Sequence, residues 1–173
     1  MTIEIRPKNN YLIPFVLLKP VFRIVIIGTL FLVTSMPLIS CAGKRPANLG
    51  VIDSELAPCP SSPNCVSSDA GDDVHRILPF QLEVSPAEAW QVARATVLEL
   101  PRTRIVSETP DYLHAECQSA VFGFVDDLEL HLRPAAEIIA VRSASRLGYS
   151  DFGVNRSRVE GLRNSLIGRG VVR

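Results

Sequence analysis

A regular alternation of apolar and polar residues constrains the fold of this chain more than any other feature. In the stretch from Phe124 to Arg133, leucines occupy one set of alternate positions and charged residues or histidine occupy the other. The two sets are Leu128, Leu130 and Leu132 on one side, and Asp127, Glu129, His131 and Arg133 on the other. Since side chains alternate across a β-strand, the pattern predicts a strand with one buried and one polar face. On that polar face we expect His131 to be a solvated surface histidine.

A second alternating stretch follows at once and predicts a hairpin. Residues 134–136 (Pro-Ala-Ala) form the turn, and the partner strand runs from Ile138 to Arg146. If the apolar residues of both strands share one face, Glu129 stands opposite Arg142 and Asp127 lies diagonal to the arginines. A slip of one residue would exchange the two faces. We therefore predict this register, because it builds one apolar face and one ladder of acid–base pairs.

Two helices are predicted on either side of this hairpin. Ser85, Pro86 and Glu88 have the spacing of a capping box with proline at the first helical position. The apolar face of this first helix comprises Trp90, Ala93, Val97 and Leu100, and Pro101 ends it. The second helix begins near Asn155, a candidate cap, and ends at Gly168. Its apolar positions are Val159, Leu162 and Leu166.

Three further strands complete the expected fold. They run from Ile77 to Leu82, from Arg104 to Glu108 and from Tyr112 to Cys117. Pro79 restricts the first of them to a sheet edge, because proline has no N–H to donate. The sequence thus predicts a single α+β domain with an antiparallel sheet of about five strands. The order is strand, helix, four strands, helix.

The N-terminal part of the chain indicates a membrane address. An apolar run from Ile24 to Val33 precedes the sequence Leu38-Ile39-Ser40-Cys41, which resembles a bacterial lipobox. In such signals the cysteine sulfur is acylated and the chain is cleaved just before it. We therefore expect residues 1–40 to be a lipoprotein signal peptide and Cys41 to carry the lipid. Ala42 resembles the residue found after the cysteine of lipoproteins sorted to an outer membrane, with the domain facing the periplasm of the cell envelope.

An uncleaved single-pass membrane anchor is the alternative. The stretch from Ile24 to Ala42 carries no charge, and about 20 apolar residues suffice to span a bilayer. Pro37, Ser40 and the position of Cys41 favour cleavage. Both interpretations hold the domain at a membrane.

The part that remains after cleavage is large enough for one domain and is mildly acidic. It has 133 of the 173 residues. Residues 1–40 contain four of the 18 basic and one of the 18 acidic residues, so the remainder has 14 and 17 and a net charge of −3. Such a domain has no general attraction for nucleic acid, and we expect no nucleic-acid partner. We expect residues 41–58 to be a flexible tether and residues 59–173 to be the single α+β domain.

The cysteines and histidines indicate a disulfide rather than a metal site. Cys59 and Cys65 enclose a short loop that can close as a disulfide in an oxidising compartment, and two free thiols on a turn are the alternative. Cys117 falls on the apolar side of its strand and is expected to be a buried structural thiol. A zinc site built from Cys59, Cys65 and His75 would lack a fourth ligand. We therefore expect no metal and no cofactor.

Three longer motifs resemble the domain-of-unknown-function 1499 family. They run from Cys59 to Ser68 (CPSSPNCVSS), from Phe124 to Glu129 (FVDDLE) and from Arg142 to Glu160 (RSASRLGYSDFGVNRSRVE). The resemblance covers residues 57 to 167. It implies a small α+β domain, often exported or membrane-attached, without an established activity, so it supplies no catalytic residue.

The polar residues of these motifs form the candidate site. Arginine is suited to two-pronged binding of carboxylate or phosphate, and a helix N-terminus adds N–H donors. We therefore expect an anionic lipid headgroup or an acidic saccharide to bind at a polar belt of eight residues. The belt comprises Arg142, Arg146, Asp151, Asn155, Arg156, Arg158, Asp126 and Asp127. A structural network of salt bridges is the alternative.

These observations favour a membrane-anchored envelope lipoprotein that acts as a binding or scaffold module for an anionic envelope component. The chain contains no nucleophile elbow, phosphate loop or dinucleotide fingerprint, so enzymatic activity is the less favoured hypothesis. It would use Asp126, Asp127, Arg142 and Arg146. A purely structural assembly protein is the third hypothesis.

Overall fold

The described part of the chain contains eight strands and two α-helices, connected by loops and turns. The computed structural model describes residues 42–173, so the predicted signal peptide and Cys41 lie outside the described residues. The strands are β1 (Val51–Ile52), β2 (Glu55–Leu56), β3 (Cys65–Ser67), β4 (Phe80–Gln81), β5 (Thr103–Glu108), β6 (Tyr112–Gln118), β7 (Val125–Arg133) and β8 (Ile138–Ser145). The helices are α1 (Pro86–Glu99) and α2 (Val154–Gly168).

Six of the strands form one antiparallel sheet. Its order is β3-β8-β7-β6-β5, and β4 pairs with the same outer edge of β8 as β3 does. Strands β1 and β2 form a separate hairpin. The two helices pack on one face of the sheet. The predicted α+β class is confirmed, with six strands in the main sheet where about five were expected.

The central hairpin has the predicted register. Glu129 of β7 pairs with Arg142 of β8, and Leu130 pairs with Val141. The turn between them is a single helical turn at Pro134–Ala136. This register puts every leucine of β7 on the helix side, where burial of apolar surface stabilises the fold.

Capping and apolar periodicity position both helices. Ser85 caps α1 by accepting the N–H of Glu88, as predicted, and α1 buries Ala93 and Val97. In α2 the predicted residues Val159, Leu162 and Leu166 are all fully buried. The helix begins one residue before Asn155, however, and its cap position is Gly153. The candidate cap Asn155 therefore lies within α2 rather than at its cap position, and its side chain bonds to the sheet instead.

Two edge strands differ from the expectation. The strand predicted from Ile77 to Leu82 is reduced to β4, since the N–H of Ile77 bonds to the carbonyl of Ser67 and Leu82 bridges to Val172 near the C-terminus. Strand β3 was not predicted, because it lies in a segment rich in Pro, Ser and Asn, residue types that are typical of turns and loops. Its pairing with β8 overrides that local preference.

The face of the sheet opposite the helices is polar but buried. This polar face presents His114, Glu116, Asp127, Glu129, His131 and Arg142, all less than 9% exposed. The described part of the expected tether, residues 42–58, lies against it. Its residues contact the face directly: Arg45 bonds to Glu116, and the N–H of Gly50 bonds to Glu129. A buried carboxylate needs donors, and this N-terminal segment supplies them.

The expectation that His131 is solvated was wrong. His131 is only 7% exposed, and its Nδ1 lies 3.2 Å from the Nε of Arg133. Arg133 is held in turn by Asp69, which also accepts the N–H of Leu56 in the N-terminal segment. Burial and the nearby Arg133 charge lower the pKa of His131.

Within residues 42–173, neither helix has both the length and the apolar character required to cross a bilayer.

Candidate functional site

The eight residues of the predicted polar belt do not form one site. Asp126 and Asp127 are consecutive in β7, so they point to opposite faces of the sheet. Asp127 joins Arg146 on the polar face, whereas Asp126 joins Arg158 on the helix side. Arg156 stands apart from both groups and donates to the backbone carbonyls of residues 74 and 76.

The helix-side group connects α2 to the sheet. Asn155 is fully buried. Its amide oxygen accepts from the hydroxyl of Ser143 at 2.6 Å, and its amide nitrogen donates to the carbonyl of Asn64 at 3.0 Å and to Ser145 at 2.9 Å. Asp151 accepts the backbone N–H of Asn155 at 2.7 Å. These contacts satisfy the polar groups internally, which favours a structural role for this half of the belt.

The pair in the middle of the polar face is closed to solvent. Arg142 donates to Glu129 at 2.8 Å, and the two side chains are 5% and 0% exposed. Glu129 also accepts from the hydroxyl of Tyr112 and from the N–H of Gly50, each at 2.8 Å. Burial, together with the Glu129 charge, raises the pKa of Tyr112. Arg142 is therefore committed to a carboxylate, although its buried Nε has no acceptor among the described residues.

Toward one end of the polar face, three arginines converge on a single carboxylate. Glu116 accepts from Arg45 at 2.5 Å, from Arg104 at 2.5 Å and from Arg146 at 2.6 Å. Arg146 also holds Asp127 through two hydrogen bonds of 2.9 and 2.6 Å. Burial alone would raise the pKa of Glu116, but these hydrogen bonds outweigh it and lower the pKa to about 2. Glu116 is therefore ionised throughout the physiological range.

Asp127 is held in the same way. Burial would raise its pKa, but hydrogen bonds from Arg146 and from His114, whose Nε2 lies 2.7 Å away, keep the pKa below its ordinary value. In return, the hydrogen bonds to Asp127 raise the pKa of Arg146. Arg146 is thus a fixed cation between two fixed anions.

This cluster borders an open cavity of about 530 Å³. We call it the arginine cavity. Its charged lining consists of Arg45, Arg102, Arg104, Arg146 and Glu116, and Ala42 lies at its edge. Four guanidinium groups against one carboxylate give the lining an excess of positive charge. The side chain of Arg104 is 73% exposed and that of Arg45 is 48% exposed, so these cations are accessible from solvent.

Two of these arginines have donors without a partner among residues 42–173. Within that range Arg102 donates only through its Nε, to the carbonyl of Gln118, and Arg104 donates only through one terminal nitrogen, to Glu116. A guanidinium has five N–H donors. The unused edges of both groups are therefore available to an incoming anion, so the arrangement can bind carboxylate or phosphate without first breaking an ion pair.

Sequence reasoning identified Arg146 but missed the other members of this cavity. Arg104 could have been found, since it lies directly opposite Glu116 in the β5–β6 pair on the polar side. Arg45 could not, because it was assigned to a tether and lies 71 residues from Glu116.

The cysteines and histidines are all used structurally in the described residues. Cys59 and Cys65 are bonded to each other. Cys117 is a buried free thiol, as predicted, and burial raises its pKa. The Nδ1 of His75 lies 2.8 Å from Asp72. No cluster of three or more potential metal ligands is present in residues 42–173.

Comparison with known proteins bears on the family alone. Neither a curated protein nor a solved structure matches the chain. The model of the family described as protein of unknown function (DUF1499) matches residues 55–166, which is more than half of the chain. This range spans the disulfide loop, the whole sheet from β3 to β8 and nearly all of α2. The chain therefore belongs to the DUF1499 family of proteins of unknown function.

Proposed function

We propose that this protein is an envelope lipoprotein, anchored through Cys41, whose domain binds an anionic envelope component in the arginine cavity. The observation that carries the proposal is the convergence of Arg45, Arg104 and Arg146 on Glu116 beside the unpaired edges of Arg102. One carboxylate orders the arginines, and the remaining positive charge is directed to the cavity.

The chemistry of the ligand follows from the donors. Guanidinium groups bind phosphate and carboxylate oxygens through paired N–H donors, more strongly than a point charge of the same sign does. The ligand is therefore an anion with at least two adjacent oxygens. A phospholipid headgroup phosphate and a saccharide uronate both meet this requirement.

The position of the predicted anchor favours the lipid headgroup. Ala42 lines the arginine cavity, and it directly follows Cys41 in sequence. Consecutive Cα atoms are about 3.8 Å apart, so a lipid on Cys41 would hold the cavity beside the membrane surface. Several acyl chains anchor a protein firmly, whereas a single chain holds it only marginally.

The other two hypotheses have less support. An enzyme that uses Asp126, Asp127, Arg142 and Arg146 would need these residues in one pocket, but the sheet separates Asp126 from the other three. A purely structural protein accounts for the paired groups around Asn155 and Arg142. It does not account for the exposed, incompletely paired Arg102 and Arg104.

Binding of short-chain lipids tests the proposal. Full-length protein in detergent is titrated with dihexanoyl phosphatidylglycerol, with dihexanoyl phosphatidylcholine and with a trigalacturonate, and binding is measured by microscale thermophoresis. We expect binding of the phosphatidylglycerol and at least about tenfold weaker binding after Arg104→Ala or Arg102→Ala, which corresponds to roughly 1.4 kcal/mol per variant. Stronger binding of trigalacturonate would assign the cavity to a saccharide.

Arg94→Ala is the matched control. Arg94 is also an exposed arginine paired with a carboxylate, Glu108, and it contacts strand β5, but it does not line the arginine cavity. Its removal should leave the affinity unchanged. Equal affinity for the choline and glycerol lipids, or an equal loss in Arg94→Ala, would contradict the proposal.

A further inference from the structure

The exposed apolar residues of the domain are concentrated at one end of the sheet. Of the 13 exposed large hydrophobic residues in the described part of the chain, seven lie in two loops or at their borders. One loop, residues 119–124, connects β6 to β7, and the other, residues 147–153, leads from β8 to α2. The seven residues are Val121, Phe122, Phe124, Leu147, Tyr149, Phe152 and Val154. Together we call them the aromatic tip.

Five of the seven residues of the aromatic tip border one groove, so they are not scattered over the surface. The rings of Phe122 and Phe124 lie 5.7 Å apart. Phe122, Phe124, Leu147 and Phe152 line a common groove of about 390 Å³. Phe152 is 96% exposed and Phe122 is 66% exposed. Large contiguous apolar surfaces of this kind mark interaction sites with proteins or membranes.

The two loops contain almost no charge. Residues 119–124 read SAVFGF and residues 147–153 read LGYSDFG, so Asp151 is the single charged residue in them. Its carboxylate accepts the N–H of Gly153 at 3.0 Å and that of Asn155 at 2.7 Å. Asp126, which borders the same groove, is paired with Arg158 at 2.5 Å. No unpaired carboxylate of these loops would oppose contact with an apolar phase or with anionic headgroups.

Gly43 of the N-terminal segment lies beside the aromatic tip. Gly43 has φ +66°, and a Cβ placed on it would lie 2.9 Å from the Cβ of Arg146 and 3.0 Å from the Cγ of Leu147. The chain therefore passes in direct contact with Leu147, one of the tip residues. Arg102 connects the two surfaces, because it lines the arginine cavity and also a neighbouring cavity that includes Phe152.

We propose that the aromatic tip inserts into the interfacial region of the bilayer to which residue 41 attaches the chain, with the arginine cavity at the level of the headgroups. The inference rests on the membrane anchoring in the proposed function but not on its anion site. Tyr side chains are enriched at the membrane interface, Phe and Leu side chains are buried at the boundary between headgroups and acyl chains, and arginines beside them match headgroup phosphates. The occupant is a phospholipid surface because Gly43, two residues after the proposed lipidation residue, lies against Leu147 of the tip.

Depth-dependent fluorescence quenching tests the insertion. Full-length protein is reconstituted into phosphatidylcholine vesicles with brominated acyl chains, and wild-type Trp90 provides the baseline. Phe152→Trp and Phe122→Trp place reporters at the tip. Leu78→Trp is the control, because Leu78 is 70% exposed but precedes β4, which pairs with the opposite end of β8. The emission of each new tryptophan is the signal above the Trp90 baseline. Insertion by several ångströms brings the two tip reporters into an apolar region near the bromine atoms. We therefore expect their emission to fall by at least about half and to shift to the blue.

Two results would overturn the insertion. They are equal quenching of all three reporters and an absence of bromine quenching at the tip in vesicle-bound protein. If the tip emission shifts to the blue without quenching, a second copy or another protein covers the tip. Because phosphatidylcholine also carries a headgroup phosphate, the measurement is repeated in the Arg104→Ala background, where tip quenching should persist since insertion does not depend on the anion site. Protein that does not float with the vesicles would overturn the anchor itself.

Discussion

At the scale of single residues, Glu116 determines how the cationic end of the polar face is arranged. Its two oxygens accept hydrogen bonds from Arg45, Arg104 and Arg146. Without this carboxylate the guanidinium groups would repel one another across a short distance. Because the Glu116 side chain is only 7% exposed, solvent screens these interactions less than it would at an open surface.

The lowered pKa of Glu116 predicts a loss of stability in acid. Its pKa falls from 4.5 to about 2 on folding, so the carboxylate stabilises the fold fully above pH 4.5 and progressively less as the pH falls toward 2. Asp127 acts in the same direction. The Glu116 contribution at neutral pH is less than about 3 kcal/mol, because solvent screens its pairs with Arg104 and Arg45, whose side chains are 73% and 48% exposed. Urea unfolding of Glu116→Gln should show a lower free energy of unfolding at pH 7 and a shallower decline between pH 5 and pH 3.

Glu55→Gln is the control for this measurement, because Glu55 is an exposed carboxylate of β2. Its unfolding should follow the wild-type pH dependence. An unchanged pH profile in Glu116→Gln would show that Glu116 does not carry the acid sensitivity.

At the scale of elements, the connection between α2 and β8 depends on one buried amide. Asn155 contacts Ser143 and Ser145 of β8 and the carbonyl of Asn64 just before β3. In the sequence, Asn155 and its neighbours form a polar cluster near the start of a helix. Such a cluster is also typical of a ligand site, which is why the sequence favoured a ligand there. The side chain is instead fully buried and satisfied within the domain.

We expect Asn155→Ala to destabilise the domain by about 3 kcal/mol, since buried partners left unpaired cost roughly 1–3 kcal/mol each. Thermal unfolding followed by circular dichroism measures the loss. Ser157 lies in the same turn of α2 but is exposed. The control variant Ser157→Ala should therefore change the free energy of unfolding by less than about 0.5 kcal/mol. Similar melting temperatures for the two variants would contradict the structural role of Asn155.

At the scale of the whole molecule, the arginine cavity, the aromatic tip and the start of the N-terminal segment lie toward one end of the sheet. An acylated Cys41 would hold this end at the membrane without a long tether, because Arg45, Gly50 and Leu56 hydrogen-bond to the rest of the domain, at Glu116, Glu129 and Asp69 respectively. The covalent attachment, the arginine cavity and the aromatic tip would then together determine the orientation of the domain at the membrane.

Substitution of the predicted lipidation residue tests this arrangement. Cys41→Ser should abolish acylation, so the protein is released into the soluble fraction or accumulates as an unprocessed form. Membrane fractionation with intact-mass measurement distinguishes these products, and Arg94→Ala should remain anchored like the wild type. A Cys41→Ser product that stays fully membrane-bound, with the same unacylated full-length mass as the wild type, would favour the single-pass anchor.

Sequence patterns that involve residues only a few positions apart were sufficient to predict much of the fold. The alternation in β7 and β8 determined the register of Glu129 with Arg142, because a slip of one residue would place charged side chains among the apolar residues on the helix side of the sheet. The capping box at Ser85 determined the start of α1. Elements whose stability comes from distant partners were missed: β3 is three residues long, and only its pairing with β8 makes it a strand.

By itself the sequence determined the α+β class, the helix positions, the two faces of the hairpin and a family resemblance. It could not show that the polar face is buried, since a polar strand face ordinarily faces water. Only the tertiary structure brings Arg45 to Glu116 across 71 residues and separates Asp126 from Asp127 by the thickness of the sheet. For that reason the candidate site is the arginine cavity and not the polar belt predicted from the sequence. Ion pairs between distant segments depend on which surfaces the fold brings together, and local sequence patterns do not contain this information.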